Sequence, residues 1–230
     1  MTQRTALIVR GGWDQHHPVA ATERFVPFLE KSGFTLRIED SPEIYADEVQ
    51  MGGVDLVVQC VTMSQASGEA VAGLQRAIAA GTGFVGWHGG IADSFRASAG
   101  YLQLVGGQFA AHPSVLGSPE GEYAHPTYRV EMTDAGREHP ITAGLDDFEL
   151  TTEQYWVLSD DLNDVLATTT IPTDGTRPWH RPITSPAVWT RAWGAGRVVV
   201  ATPGHEPAVL DDANVRTIIE RGMLWAARTK

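Results

Sequence analysis

The chain has one cysteine, Cys60, in 230 residues, so an intramolecular disulfide is excluded. That cysteine sits in the apolar run Leu56-Val57-Val58-Gln59-Cys60-Val61, where a buried and inert thiol is expected. Lysine is nearly absent, with only Lys31 and Lys230, so positive charge is carried almost entirely by arginine. Positive charge is also short overall: the formal net charge is -11. This argues against nucleic acid or an anionic membrane as partner and makes a neutral ligand such as a sugar electrostatically easier. No apolar run approaches the ~18 residues of a membrane-spanning helix, and the N-terminus carries no basic–apolar–small leader pattern, so the cytoplasm is the expected location. HExxH, CxxC, P-loop and Gly-x-Gly-x-x-Gly patterns are all missing. A structural zinc, ATP or a Rossmann-bound dinucleotide is therefore not expected, and no nucleotide cofactor is.

What is present is ordinary for a globular α/β chain: 43% hydrophobic and 20% charged residues. Thr5 to Val9 is a continuous apolar run, as in a strand buried on both faces. Helical spacing follows over Ala20 to Lys31, then a strand over Phe34 to Ile38 and another over Asp55 to Val61. Ser67 is placed to cap a helix reaching Ala80, and Phe84-Val85 reads as a short buried strand. Strands joined by helices over the first hundred residues predict a doubly wound, mostly parallel sheet, with ligands beyond the C-terminal strand ends. Further on, Ser114 to His125 is loop-like, Thr127 to Met132 alternates as a strand, and Phe148 to Val157 and Val165 to Thr170 read as strands. Ala187 to Trp189 and Arg197 to Ala201 form a hairpin pattern, and Asp212 to Ala227 is a closing amphipathic helix. With no repeat and no linker, a single domain over 1–230 is expected. The tryptophans and phenylalanines around 148–156 and 179–193 suit a subunit interface of a homo-oligomer as well as core or lid.

The stretch with most chemical content is Gly86-Trp87-His88-Gly89-Gly90, a strand, a Gly-rich turn and a helix start. It has the layout in which Gly-x-Ser/Cys-x-Gly elbows expose a nucleophile, with histidine in the nucleophile's place. The helix that follows is expected to aim free N–H groups at a ligand. His205 ends the other buried strand, Arg197 to Ala201, and should meet His88 at the same sheet edge. The two could be an acid–base pair or metal ligands, or could simply hydrogen-bond the turns they occupy. The first strand empties into Trp13, Asp14, His16 and His17; of the adjacent histidines His17 is preferred, because Pro18 fixes the chain there. His112 follows the elbow helix and can return to the cleft, whereas His125, His139 and His180 read as turn or surface residues. Glu153 and Tyr155 offer a carboxylate beside an aromatic ring, a pairing suited to sugar hydroxyls and a pyranose face, or to a half-exposed strand.

Taken together these pieces resemble the ThuA-like (trehalose utilisation) family, related in fold to class I glutamine amidotransferases. The resemblance is carried by Gly11-Gly12-Trp13 with His17-Pro18, the elbow 86–90, His139-Pro140-Ile141-Thr142-Ala143-Gly144-Leu145, the Glu153/Tyr155 segment, and Gly196-Arg197 leading to Gly204-His205, in order along nearly the whole chain. It implies a flavodoxin-like three-layer sandwich and a role in disaccharide or keto-sugar catabolism. It also implies that His88 stands where amidotransferases have their cysteine and His205 where they have their triad histidine. Glu206 follows His205 directly, while the amidotransferase carboxylate lies two positions beyond, so no Cys-His-Glu triad is rebuilt. A histidine cannot become a thiolate, which excludes glutamine hydrolysis through a thioester. The expected site is then His88, His205 and Glu153 as catalytic groups, with Trp13, Asp14, His17, Trp87, His112 and Tyr155 around a saccharide. If one divalent metal is bound, His17, His88 and His205 are its candidate ligands.

Overall fold

In the computed structural model, which describes residues 4–113, 125–173, 175 and 177–228, the chain opens with strand β1 (Arg4–Gly12). Its centre, Ala6 to Val9, has no solvent contact. Helices α1 (Pro18–Glu23) and α2 (Val26–Lys31) follow. They occupy the stretch expected as one helix. Pro27, in the first turn of α2, has no N–H to continue the ladder, so the chain breaks at Arg24-Phe25. Then come β2 (Phe34–Glu39), α3 (Glu48–Met51), β3 (Leu56–Thr62) and α4 (Gly68–Ala79). Ser67 Oγ accepts the Ala70 N–H at 3.1 Å, and Ala70, Val71, Leu74 and Ile78 turn inward. Next are β4 (Gly83–Trp87), α5 (Gly89–Ala92), α6 (Ala99–Val105) and β5 (Gly107–Ala111). The rest is β6 (Thr127–Met132), α7 (Asp134–Glu138), β7 (Phe148–Thr151), β8 (Trp156–Ser159), β9 (Asp164–Ile171), β10 (Ile183–Trp193), β11 (Gly196–Ala201) and α8 (Ala213–Ala226).

One nine-stranded sheet runs in the order β2-β1-β3-β4-β11-β10-β9-β6-β7. From β2 to β11 every pairing is parallel, and from β11 to β7 every pairing is antiparallel. The sheet is therefore mixed, with the parallel pairings expected from the sequence on the β2–β11 side. The antiparallel half is assembled from hairpin-like returns after residue 125, where strands follow one another without crossover helices of useful length. Pro186 is accommodated inside β10 beside a register shift against β9. Two apolar layers cover the sheet, one built on Ile8, Val58, Val85, Val199 and the α8 face, the other on Leu7, Val57, Phe84, Val198 and the α4 face.

A further departure concerns Phe148 to Val157, expected as one strand. It is two, in different sheets: β7 pairs with β6, while β8 pairs with β5 in a separate two-stranded sheet. Between them Thr152, Glu153, Gln154 and Tyr155 are all buried. Four consecutive buried residues cannot belong to a strand that alternates between core and water. Gln154 Nε2 anchors the crossing by donating to Thr169 Oγ1 at 2.7 Å, while its neighbour Glu153 reaches His88. Of the aromatics considered for an interface, Trp189 is fully buried, with Nε1 donating to the Val105 carbonyl, and Phe148, Trp156 and Trp193 are half-buried. Most of the loop-like Ser114 to His125 segment (114–124) lies outside the described residues. Among the described residues no helix is long and apolar enough to cross a membrane.

Candidate functional site

Adjacent parallel strands β1, β3, β4 and β11 end side by side, and the turns beyond them build the site. Three non-glycine residues have positive φ among the described residues, His17 (47°), Met63 (46°) and His88 (49°), and they follow β1, β3 and β4. Such backbone costs of order 1–3 kcal/mol per residue and gathers where structure over-determines it. At the elbow, the His88 N–H donates to the Ala201 carbonyl at 2.7 Å, which ties the turn to β11. Gly89 is needed for contact: a Cβ there would meet the His16 ring at 2.7 Å and Thr62 Cγ2 at 2.8 Å. Gly12, at φ 80°, likewise lets β1 turn against β3, since a Cβ would lie 2.0 Å from the Thr62 carbonyl oxygen. The elbow helix α5 is only four residues long, so it supplies no sustained helix dipole, contrary to the expectation from the glycine-rich turn. Buried Gln59 holds it from below, with Nε2 donating to the Gly90 carbonyl at 3.1 Å and Oε1 accepting from Tyr45 at 2.9 Å.

The side chains converge on one oxygen. Glu153 Oε2 lies 2.9 Å from His88 Nε2, 3.0 Å from His205 Nδ1 and 3.5 Å from His112 Nε2. His16 packs against His88 (ring centroids 4.8 Å) and His205 (5.1 Å), with its Nδ1 bonded to Thr62 Oγ1 at 2.9 Å. Ligand atoms of His16, His88, Glu153 and His205 all lie within 4.8 Å of one another. Tyr155 lies over His88 at 4.2 Å and beside Phe109 at 4.4 Å, forming an aromatic wall.

Protonation follows from the partners. His88 Nδ1 is 2.8 Å from the Thr202 carbonyl oxygen, which can only accept, so Nδ1 carries the hydrogen. Nε2 of a neutral His88 is then a lone pair facing a carboxylate oxygen at 2.9 Å. Two lone pairs that close repel unless a positive species lies between them. Burial lowers the pKa of His88, with Glu153 opposing that shift. Burial, followed by the neighbouring His88 and His205, pushes His16 down to about 3, so it is neutral near pH 7. Burial lowers His112 as well. His205 Nδ1 is buried without a hydrogen-bond partner among the described residues: it is near Glu153 Oε2 but is not aligned to it as a hydrogen bond.

The placements differ from the sequence expectations at several positions. His16, not His17, joins the cluster. Pro18 opens α1, which makes His17 its N-cap, exposed and turned away, while the one-turn 3-10 helix Asp14–His16 swings the preceding ring inward. That N-terminal proline was the available signal. Trp87 does not line the cleft: it is buried in the core against Phe25 at 4.9 Å, because its side chain alternates away from the elbow. Asp14 is exposed and outside the cluster. Trp13 is half-open at the rim, edge-on to His16 at 4.8 Å. His112 and Tyr155 stand at the cluster as described. His125, read as a turn residue, is half-buried with its ring 5.3 Å from His205. His139 packs on Trp225 and His180 is exposed.

The protein is thus a mixed α/β domain with a histidine–carboxylate cluster beyond its parallel strand ends. The family profile described as "Trehalose utilisation", ThuA, matches residues 5–226, and the chain belongs to that family. Among solved structures, a ThuA-like protein from Parabacteroides merdae is similar at 17% identity and TM-score 0.72, covering 100% of this chain and 92% of that one. A ThuA-like protein from Bacteroides uniformis gives 18% identity and TM-score 0.71, covering 98% and 93%. A beta-galactosidase from Bacillus circulans is similar over 96% of this chain but 31% of its own, at 13% identity and TM-score 0.57. At these identities the likeness is one of fold. No curated relative matches the chain.

Proposed function

We propose that the protein is an enzyme of carbohydrate catabolism, acting on a disaccharide or keto-sugar at the His88–Glu153–His205 cluster and lacking amidotransferase activity. The observation that carries the reading is the convergence of buried imidazole nitrogens on Glu153 Oε2, at the ligand-binding edge of the sheet. Membership of a trehalose-utilisation family supports the substrate class. So does the net charge of -11, which leaves a neutral sugar free to approach. The βα units leading into β4, with a positive-φ elbow residue, support kinship with the flavodoxin-like amidotransferase scaffold, on which histidine has replaced the thiol nucleophile. One domain over 1–230 in the cytoplasm completes the reading.

The proton or cation that must lie between His88 Nε2 and Glu153 Oε2 makes the pair an acid–base centre at the sheet edge. A keto group acidifies the neighbouring C–H, and a cluster able to hold the enolate and pass a proton would support enolisation or β-elimination of a glycosyl group. Tyr155 and Trp13 supply ring faces for the sugar. The test is turnover of a keto-disaccharide panel by wild type and by His88→Ala and His205→Ala, with saccharide binding followed by calorimetry. Conversion by the wild type and its loss in both variants is expected. Binding without conversion would instead assign a sugar-binding module, and unchanged turnover in both variants would remove the cluster from the chemistry.

A further inference from the structure

We infer that His16, His88, Glu153 and His205 form a binding site for one first-row divalent cation, of the zinc, cobalt or manganese kind. The site is that of the proposed saccharide chemistry, so this inference deepens that reading. The metal is nevertheless measured without any sugar present.

Four observations carry it. The donors are three imidazoles and one carboxylate, a mixed nitrogen–oxygen set that suits such ions and leaves room for a substrate or water ligand. Metal–ligand bonds of about 2.0–2.1 Å hold neighbouring donor atoms roughly 2.9–3.4 Å apart. Glu153 Oε2 lies at 2.9 Å from His88 Nε2 and 3.0 Å from His205 Nδ1. The outer contacts are also those of metal-ligating histidines. His88 donates Nδ1–H to the Thr202 carbonyl and His16 Nδ1 bonds Thr62 Oγ1, so in each ring the other nitrogen is left for the cluster. Finally, His205 Nδ1 is buried without a hydrogen-bond partner among the described residues, which a metal bond would answer. A proton between His88 and Glu153 would satisfy two atoms. A cation at the centre would bridge all four donors.

No local spacing announces this site. Its ligands come from the turn after β1, the elbow after β4, the crossing between β7 and β8, and the turn after β11. The third histidine is His16, where the sequence favoured its neighbour His17.

The full chain, stripped with chelator and dialysed, is titrated with Co²⁺ and with Zn²⁺. Metal content is read by elemental analysis and Co²⁺ coordination by visible absorption. One ion per chain is expected, with ligand-field bands of a four- or five-coordinate nitrogen–oxygen site. His16→Ala and Glu153→Gln should each weaken binding by more than the roughly 10–100-fold typical of losing an outer contact. Thr62→Val, which keeps the shape of the His16 support, should cost about that 10–100-fold and reports even if a ligand variant unfolds by circular dichroism. Stoichiometry far below one, or the same affinity and spectrum in wild type and folded variants, would overturn the site. Sugar turnover by fully stripped protein would overturn the metal while leaving the enzyme reading intact. Stoichiometric binding with no turnover of any sugar would support the metal and remove the enzyme reading.

Discussion

The two halves of the large sheet contribute unlike things to the candidate site. The parallel half, β2 to β11, has its inner strands β3 and β4 buried at every residue and delivers the three clustered histidines from its strand ends. The antiparallel half has alternating strands such as β6 and β7, and it contributes Glu153 only where the chain leaves it for the small two-stranded sheet. One half is a rigid platform that fixes nitrogen atoms; the other supplies a carboxylate from a crossing held by Gln154 and its neighbours. A site shared this way joins groups far apart in sequence, and neither half could make it alone.

Stability measurements should separate the halves most sharply. Phe84, in β4, has no exposure, so Phe84→Ala should cost about 3–5 kcal/mol, whereas Leu150→Ala, in edge strand β7, should cost nearer about 2 kcal/mol. Urea unfolding of both variants checks this, and equal losses would break the contrast between platform and edge. Catalysis should invert the order: Glu153→Gln is expected to lower sugar turnover by about 10²–10⁴-fold while the fold persists. A Glu153→Gln enzyme with full turnover would show that the crossing only packs.

Acid should attack the platform before the edge. His16, held near 3 by burial against an ordinary 6.5, is neutral in the folded protein and binds protons more readily when unfolded. Its contribution is thus fully present above about pH 6.5 and drains away as pH falls towards about 3. In chelator-treated protein the Tm should drop over that window, and His16→Gln should flatten the profile. A profile unchanged by the substitution would contradict the burial argument. Smaller still, Asp14→Ala should leave stability within about 0.5 kcal/mol and sugar turnover unaltered, as for any exposed position outside the cluster. Buried Cys60, its thiol pushed up to about 12, should resist a thiol reagent until the protein unfolds.

The same contrast explains what could be read from sequence. Strands buried on both faces announce themselves as apolar runs, so β1, β3, β4 and β11 were legible, along with His88 and His205 at their ends. The crossing was not. Phe148 to Val157 carries β-forming residues throughout, and local pattern cannot reveal that β8 pairs with β5 some fifty positions earlier. Glu153 was visible as a carboxylate beside an aromatic, but its position under three imidazoles depends on that non-local pairing. His16 was lost to His17 because two adjacent loop histidines differ only in how the turn before Pro18 is wound. Trp87 was misplaced because elbow neighbours alternate, and a residue one step from His88 faces the core.

The proposed site requires the histidines of one half and the carboxylate of the other to act as a unit. Sugar turnover by His88→Ala, Glu153→Gln and the double variant tests it most directly. A double variant no slower than the slower single variant is expected, because either change alone disables the shared centre. Losses that simply multiply would mean that the two residues act independently, and would contradict it.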